Sequence, residues 1–330
     1  MERPSSLPLS VNLMPNSPIL DVVDLGVLAE QLGYRRCWVY DEGLYTRDVY
    51  VTLAALALAT KEILIGPGIT NPYVRHPGVT AAAVATLDEL SESRAFVGIG
   101  AGGGLTLDPL GIQRQNPVMA LSEMVKASRG LFRGETVDLD GTAFSFRSAS
   151  LEFGRSDIEI FLAGRGPLVT KLGGQVADGF YLSYIHKSLL KKHINNLRTV
   201  TKKQPFTVIY STMVVTSESE MAEARAALSF RLVDSPPEVK DLIGMTDADT
   251  ELIRDSLRSG GPVAAAAYVP EAWVDQFAIV GSEKEAGIEL RKTLIDNGIS
   301  EFQLPLSKVK GARSLLERTA AMFEGDWEDF

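Results

Sequence analysis

Short apolar runs at residues 7–14, 37–40, 63–66, 95–100, 158–163, 179–183, 205–215 and 299–306 recur along the chain, most of them followed by a stretch with helical spacing. The runs show little in–out alternation, the mark of strands buried on both faces, as in a parallel sheet. Parallel strands cannot be joined by a tight turn, so the stretches between the runs read as crossover helices. One helix is expected at 16–33, where Leu20, Val23, Val27 and Leu28 repeat, and another at 48–60. A third at 77–90 puts Val79, Ala83, Leu87 and Leu90 on one face, and others are expected at 117–132, from Pro167, at 187–201 and at 311–323. An open doubly wound sheet and a closed (β/α)8 barrel, the TIM barrel, both satisfy such a pattern. The count of eight favours the barrel, and 330 residues suit one barrel of about 250 residues with insertions.

Two connections are longer than a crossover needs. Residues 101–157 hold a Gly-rich loop, a helix and a hairpin turning at Asp140-Gly141. Residues 217–295 are mainly helical and read as an insertion before strand eight. The chain contains no repeat of fixed period, so the expectation is a single barrel domain over 1–330 with insertions near 101–157 and 217–295.

Composition removes whole classes of function. The formal net charge is −9 and there is no basic cluster, which argues against nucleic acid as a partner. The longest apolar stretches, such as 53–59, fall far short of the roughly 20 residues of a membrane span. The single cysteine, Cys37, allows no internal disulfide and suits a reducing compartment. With no apolar signal region after Met1, a cytoplasmic protein acting on a small molecule is expected. No Cys/His/Asp/Glu spacing suggests a metal site.

In a (β/α)8 barrel, chemistry sits where strands end and helices begin. The third strand ends in a corner that an ordinary connection does not require. Gly66 and Gly68 flank Pro67, and Ile69-Thr70-Asn71-Pro72 follows before the helix pattern at Pro77. Glycine tolerates backbone angles and close approaches that other residues do not, and proline fixes φ and removes a donor. Backbone so poor in side chains suits a flat ring laid against it. Asp41-Glu42 ends the second strand; two adjacent carboxyls raise one pKa, which suits proton donation. Gly98-Ile99-Gly100-Ala101-Gly102-Gly103 matches Gly-x-Gly-x-x-Gly, but no helix opens immediately after it and no acid follows about 20 residues on, so a dinucleotide-binding reading fails. Ala163-Gly164-Arg165-Gly166-Pro167 joins strand five to a helix whose first amides form a ready anion site. Ser183, Tyr184 and His186 follow strand six and are pocket candidates by position alone. His76, just before a helix, suits a capping role better than substrate contact.

Three segments together carry a resemblance: 66–77, the Leu90-Ser91-x-x-Arg94 stretch before strand four, and 161–179. The chain resembles the luciferase-like flavin and deazaflavin oxidoreductases, above all the branch of the F420-dependent methylenetetrahydromethanopterin reductases. The resemblance implies a TIM barrel and decides between the two architectures. It implies a non-prolyl cis peptide at Gly68-Ile69 that props the cofactor ring, with Thr70 and Asn71 beside it. It further implies a cofactor cleft lined by Gly100, Ala101 and Gly102, and a phosphate held at Ala163, Gly164, Arg165, Gly166 and Pro167. A homodimer through barrel helices also follows from it.

The chain departs from that pattern at three places. Glu42 stands where near relatives carry histidine, and Asn12 and Gly103 stand where the methanopterin reductases carry acids. Those acids are associated with substrate and proton handling, so the expectation is a different substrate. The function expected is hydride transfer between F420 and a small-to-medium molecule, reducing C=N or C=C, with Glu42 and then Asp41 as candidate acids and Asn12 and Gly103 in the substrate pocket. An FMN-dependent monooxygenase is the alternative, and a non-catalytic ligand-binding barrel the second.

Overall fold

The structure, a computed structural model, describes residues 7–324. Eight parallel strands form one sheet: β1 (Leu7–Leu13), β2 (Tyr34–Val39), β3 (Leu64–Pro67), β4 (Phe96–Ile99), β5 (Glu159–Ala163), β6 (Gly179–Ser183), β7 (Thr207–Ser211) and β8 (Glu301–Leu306). Their order is β3-β2-β1-β8-β7-β6-β5-β4. The two ends meet, because Ile65 N donates to Arg94 O (3.0 Å) and Thr70 N to Gly98 O (2.9 Å), while Gly100 N donates to Thr70 O (2.9 Å). The sheet is therefore the expected (β/α)8 barrel, closed between β3 and β4.

Helices α1 (Ile19–Gln31), α2 (Val49–Ala59) and α3 (Pro77–Leu90) follow the first three strands. Asp48 caps α2 by accepting from Tyr50 N (2.9 Å) and Val51 N (3.0 Å). His76 caps α3 through Nδ1, which accepts from Gly78 N, while Nε2 meets the Ser145 carbonyl of the Val137–Asp140/Ser145–Ala149 hairpin. That is the capping role expected of it. Arg94, from the Leu-Ser-x-x-Arg stretch, closes the end of α2 by donating to the carbonyls of Ala57, Thr60 and Ile63. A buried guanidinium with fixed donors satisfies the carbonyls that a helix end leaves unpaired.

Which helical residues face inward differs from the apolar spacing. Leu20 on α1 is 75% exposed, and Val79 and Leu90 on α3 are also exposed; the buried face of α3 is Thr80, Ala81, Val84, Ala85, Leu87 and Asp88. Helix α2 is apolar on every side, with Leu53 and Leu56 buried while Val51 and Leu58 face outward. Apolar spacing cannot tell a core face from a second apolar face turned out of the barrel.

Two compact units divide the chain. The first comprises residues up to Ser183, His193–Ser211 and Gly298–Ala320, and holds the barrel; the second comprises Tyr184–Lys192, Thr212–Asn297 and the residues from Ala321. Within the second, helices Glu218–Val233, Pro237–Ile243 and Asp247–Ala265 pack around Leu228, Leu232, Ile253 and Phe277. The seventh apolar run proves to be two strands. Barrel strand β7 stops at Ser211, and Val214–Val215 pairs instead with Ile279–Val280 in the second unit.

Inside the barrel the residues sort by layer. Arg36 bonds Glu159 (2.8 Å) and Glu301 across the interior. Above it, Trp38, Phe96, Phe161, Tyr181 and Ile209 pack together, with Trp38 and Phe96 ring centroids 4.3 Å apart. Such filled layers are usual for this architecture and leave the strand exits as the place for chemistry.

Candidate active site

The exits of β2, β3 and β4 assemble around the corner that follows β3. The Gly68-Ile69 peptide is cis. Asn12, at 0% exposure on β1, donates its side-chain amide to the Gly68 carbonyl at 2.6 Å. The glycines of this corner are crowded by the protein's own atoms. A Cβ on Gly66 would overlap the Phe96 carbonyl, one on Gly68 would lie 2.6 Å from the Trp38 Cβ, and one on Gly100 would strike the Ile69 side chain. They admit the protein's own aromatic layer and Ile69. Across residues 65–72 every residue is buried except Ile69. Ile69 is thus the one half-exposed residue of the corner, with its side chain packed over Gly98 and Gly100 and against the aromatic layer.

The polar side chains of the corner are committed. Thr70 Oγ1 donates to Asp41 Oδ2 at 2.7 Å. Asn71 Oδ1 accepts from Tyr73 N and Val74 N, both at 3.0 Å, and so shapes the turn into α3. Glu42 accepts from Thr106 Oγ1 at 2.5 Å, which ties the exit of β2 to the short helix Gly104–Leu107 after β4. Burial raises the pKa of Asp41, and the Asp48 carboxylate raises it further, against lowering by the Thr70 hydroxyl and the Arg75 guanidinium. Tyr50 lies beside the hydroxyls of Thr70 and Thr80; burial foremost, with the Asp41 charge next, pushes its phenol well up. Arg75 stacks on the Tyr50 ring at 4.8 Å and bonds Asp48 at 3.0 Å.

At the exit of β4, Ala101 and Gly102 are half-buried, while Gly103 is exposed and a Cβ there would meet nothing within 4 Å. At the exit of β5, Ala163 is buried and Gly164 half-buried, while Arg165, Gly166 and Pro167 are exposed. Gly166 caps helix Pro167–Val176 with no side-chain bond to its first amides, and a Cβ on it would also meet open space. These are features of an anion cradle: free amides, a positive helix end, and room. Ser183 ends β6, half-buried. Tyr184 and His186 belong to the second unit, where the Arg231 guanidinium lies 3.6 Å from the Tyr184 ring centroid and His186 packs its ring on Phe277.

Residues 6–301 match the family model described as luciferase-like monooxygenase. The chain belongs to the luciferase-like family. Two archaeal relatives named 5,10-methylenetetrahydromethanopterin reductase span this luciferase-like chain. The one from Archaeoglobus fulgidus is 32% identical over 286 residues, covering 83% of this chain and 86% of its own. The one from Methanolobus tindarius is 29% identical over 301 residues, covering 88% and 92%. The solved coenzyme F420-dependent tetrahydromethanopterin reductase of Methanopyrus kandleri matches with a TM-score of 0.85 at 21% identity, over 97% of this chain and 100% of that one. At that identity the likeness establishes the fold.

Four residues of this corner were not legible beforehand: Tyr50, Asp48, Arg75 and Thr106. None stands at an informative spacing from Asp41 or Glu42, and only the folded barrel brings them there.

Proposed function

We propose that this protein is an F420-dependent oxidoreductase that reduces a C=N or C=C bond of a small-to-medium substrate other than methylenetetrahydromethanopterin. The observation that carries this reading is the lone half-exposed Ile69 on an otherwise buried corner. A rigid apolar face of that kind suits one side of a planar tricyclic ring. Two chain features fit the rest of such a cofactor: the uncapped, open helix start at Gly166 suits its phosphate, and Gly164 and Arg165 flank it. A relative from Beutenbergia cavernae named F420-dependent glucose-6-phosphate dehydrogenase, 34% identical over 173 residues, supports the deazaflavin rather than FMN.

When bound, F420 supplies the hydride; the chain supplies orientation and a proton. The Gly68-Ile69 corner would back the ring, and Asn12 keeps the Gly68 carbonyl turned toward β1. Thr70 and Thr106 hold the Asp41–Glu42 carboxyls at the mouth of the barrel. The substrate reading rests on Asn12, whose amide is occupied by Gly68, and on Gly103, which has no side chain to offer. Titrating the purified protein with F420 and with FMN, read by fluorescence, tests the cofactor. Micromolar binding of F420 with weak FMN binding is expected. Tight FMN binding with oxygen-dependent turnover overturns the reading.

The protein also acts as a homodimer in this reading. Helix α2 carries no charged residue, and its outward Val51 and Leu58 are 64% and 74% exposed. Leu20 and Val79 are likewise exposed on α1 and α3, the helices packed on either side of α2. A second copy of the same face would cover it.

A further inference from the structure

We infer that Asp41, and not its neighbour Glu42, gives the proton in this reaction, with Thr70, Tyr50, Asp48 and Arg75 as its positioning residues. The inference rests on the reductase reading above and adds the identity of the proton donor. The geometry separates two carboxyls that are adjacent in sequence. Glu42 is drawn toward the exit of β4, where the Thr106 hydroxyl holds it. Asp41 is drawn toward β3, where Thr70 holds its Oδ2 at 2.7 Å. Thr70 is the residue directly after Ile69, and its backbone bridges to Ile99 of β4. Thr70 is therefore tied on both sides, by its backbone to Ile99 and by its hydroxyl to Asp41, one residue beyond Ile69.

Around Asp41 the charged and titratable groups form one layer. Asp48 opens α2, Tyr50 is in its first turn, and Arg75 precedes α3, clamped between the Tyr50 ring and the Asp48 carboxylate. The Gly43 amide adds a hydrogen bond to the Asp41 carboxyl, and Glu42 is its only other neighbouring acid on β2's exit. The two charges act in opposite directions on Asp41: Asp48 favours its protonated form and Arg75 its ionised form. Burial favours the protonated form more strongly than either. A carboxyl whose acid form is favoured by its surroundings suits a general acid.

The chemistry balances. Bound reduced F420 would supply a hydride to the substrate carbon of the C=N or C=C bond and release its ring N–H proton to solvent, and the π pair would move to the neighbouring atom. That atom takes the proton from Asp41, and the Asp41 carboxylate regains a proton from water.

The test uses the whole chain. Aspartate carboxyl groups are labelled with carbon-13 and the Asp41 resonance is assigned by its loss in Asp41→Asn. Its titration is followed by NMR in wild type, Arg75→Gln and Asp48→Asn. Asp41 is expected to titrate above an ordinary aspartate, with its midpoint moving up in Arg75→Gln and down in Asp48→Asn. F420 affinity is measured on the same samples, and oxidation of reduced F420 by cyclohexenone and by 1-pyrroline is followed. Asp41→Asn is expected to keep F420 affinity and to lose about a hundredfold or more in turnover, with a smaller loss in Glu42→Gln. An ordinary Asp41 midpoint, midpoints that fail to move in opposite directions, or a greater loss in Glu42→Gln overturns the inference while leaving the cofactor reading intact. A wild-type protein that binds no F420, or turns over neither probe, overturns both.

Discussion

The side-chain amide of Asn12 donates to the carbonyl of Gly68 at 2.6 Å, from one barrel strand to the corner that follows another. Both partners are buried, so the contact has no water to replace it. Asn12→Asp keeps the shape and removes the donor at neutral pH. The introduced carboxyl can donate to Gly68 only when protonated, which raises its folded-state pKa above its unfolded value. Its stabilising contact is complete below the unfolded pKa and is lost as pH rises through the folded one. The variant should be destabilised by about 1–3 kcal/mol at neutral pH and approach wild type in acid. Denaturant unfolding over a pH series measures this.

Asp41 should limit the stability of the fold. Its folded pKa lies above the usual aspartate value because partial burial strips water from the half-exposed carboxyl. The contribution is therefore favourable at low pH and disappears as pH rises through the raised value. Asp41→Asn should match wild type in acid and become the more stable protein as pH climbs past the ordinary aspartate range. A thermal-melt series in pH reads the crossover; a constant difference at every pH would contradict it.

Gly166→Asp should separate the cofactor site from the fold. Its Cβ meets open space and its φ is −82°, so a side chain fits without strain. The thermal midpoint should hold or rise slightly, because an aspartate at this position can accept from the helix's first amides. A carboxylate beside the anion cradle should weaken F420 binding by at least about tenfold, a loss of roughly 1.4 kcal/mol.

Charging α2 should break the assembly. The double variant Val51→Glu with Leu58→Glu places two carboxylates on exposed positions that no intramolecular partner needs. Sedimentation should change from dimer to monomer with the far-ultraviolet circular dichroism unchanged. A wild-type monomer would show that the apolar face has another use.

At the base of the barrel, Arg36 is fully buried between Glu301 and Glu159. Arg36→Met leaves Glu301, only 1% exposed, without its cation. The expected cost is about 3–5 kcal/mol, seen in denaturant unfolding. Adding Glu301→Gln should recover part of it.

The amino-acid sequence determined a parallel α/β sheet, because strands buried on both faces must be near-continuously apolar and parallel pairs must be separated by crossovers; that the sheet closes into a barrel is decided by the bonds between β3 and β4. The sequence also marked the corner after β3, since Pro67 cannot carry a central ladder onward and Gly68 after it tolerates a bend. It could not say why those glycines are bare. That depended on Trp38 and Phe96, which reach them only after the barrel closes. Nor could spacing separate Asp41 from Glu42, which are adjacent in the chain and differ only in which hydroxyl, Thr70 or Thr106, the fold brings to each. The outward turn of Leu20, Val79 and Leu90 was hidden for the same reason: helical periodicity records that a face is apolar, while the barrel's curvature decides which apolar face meets it.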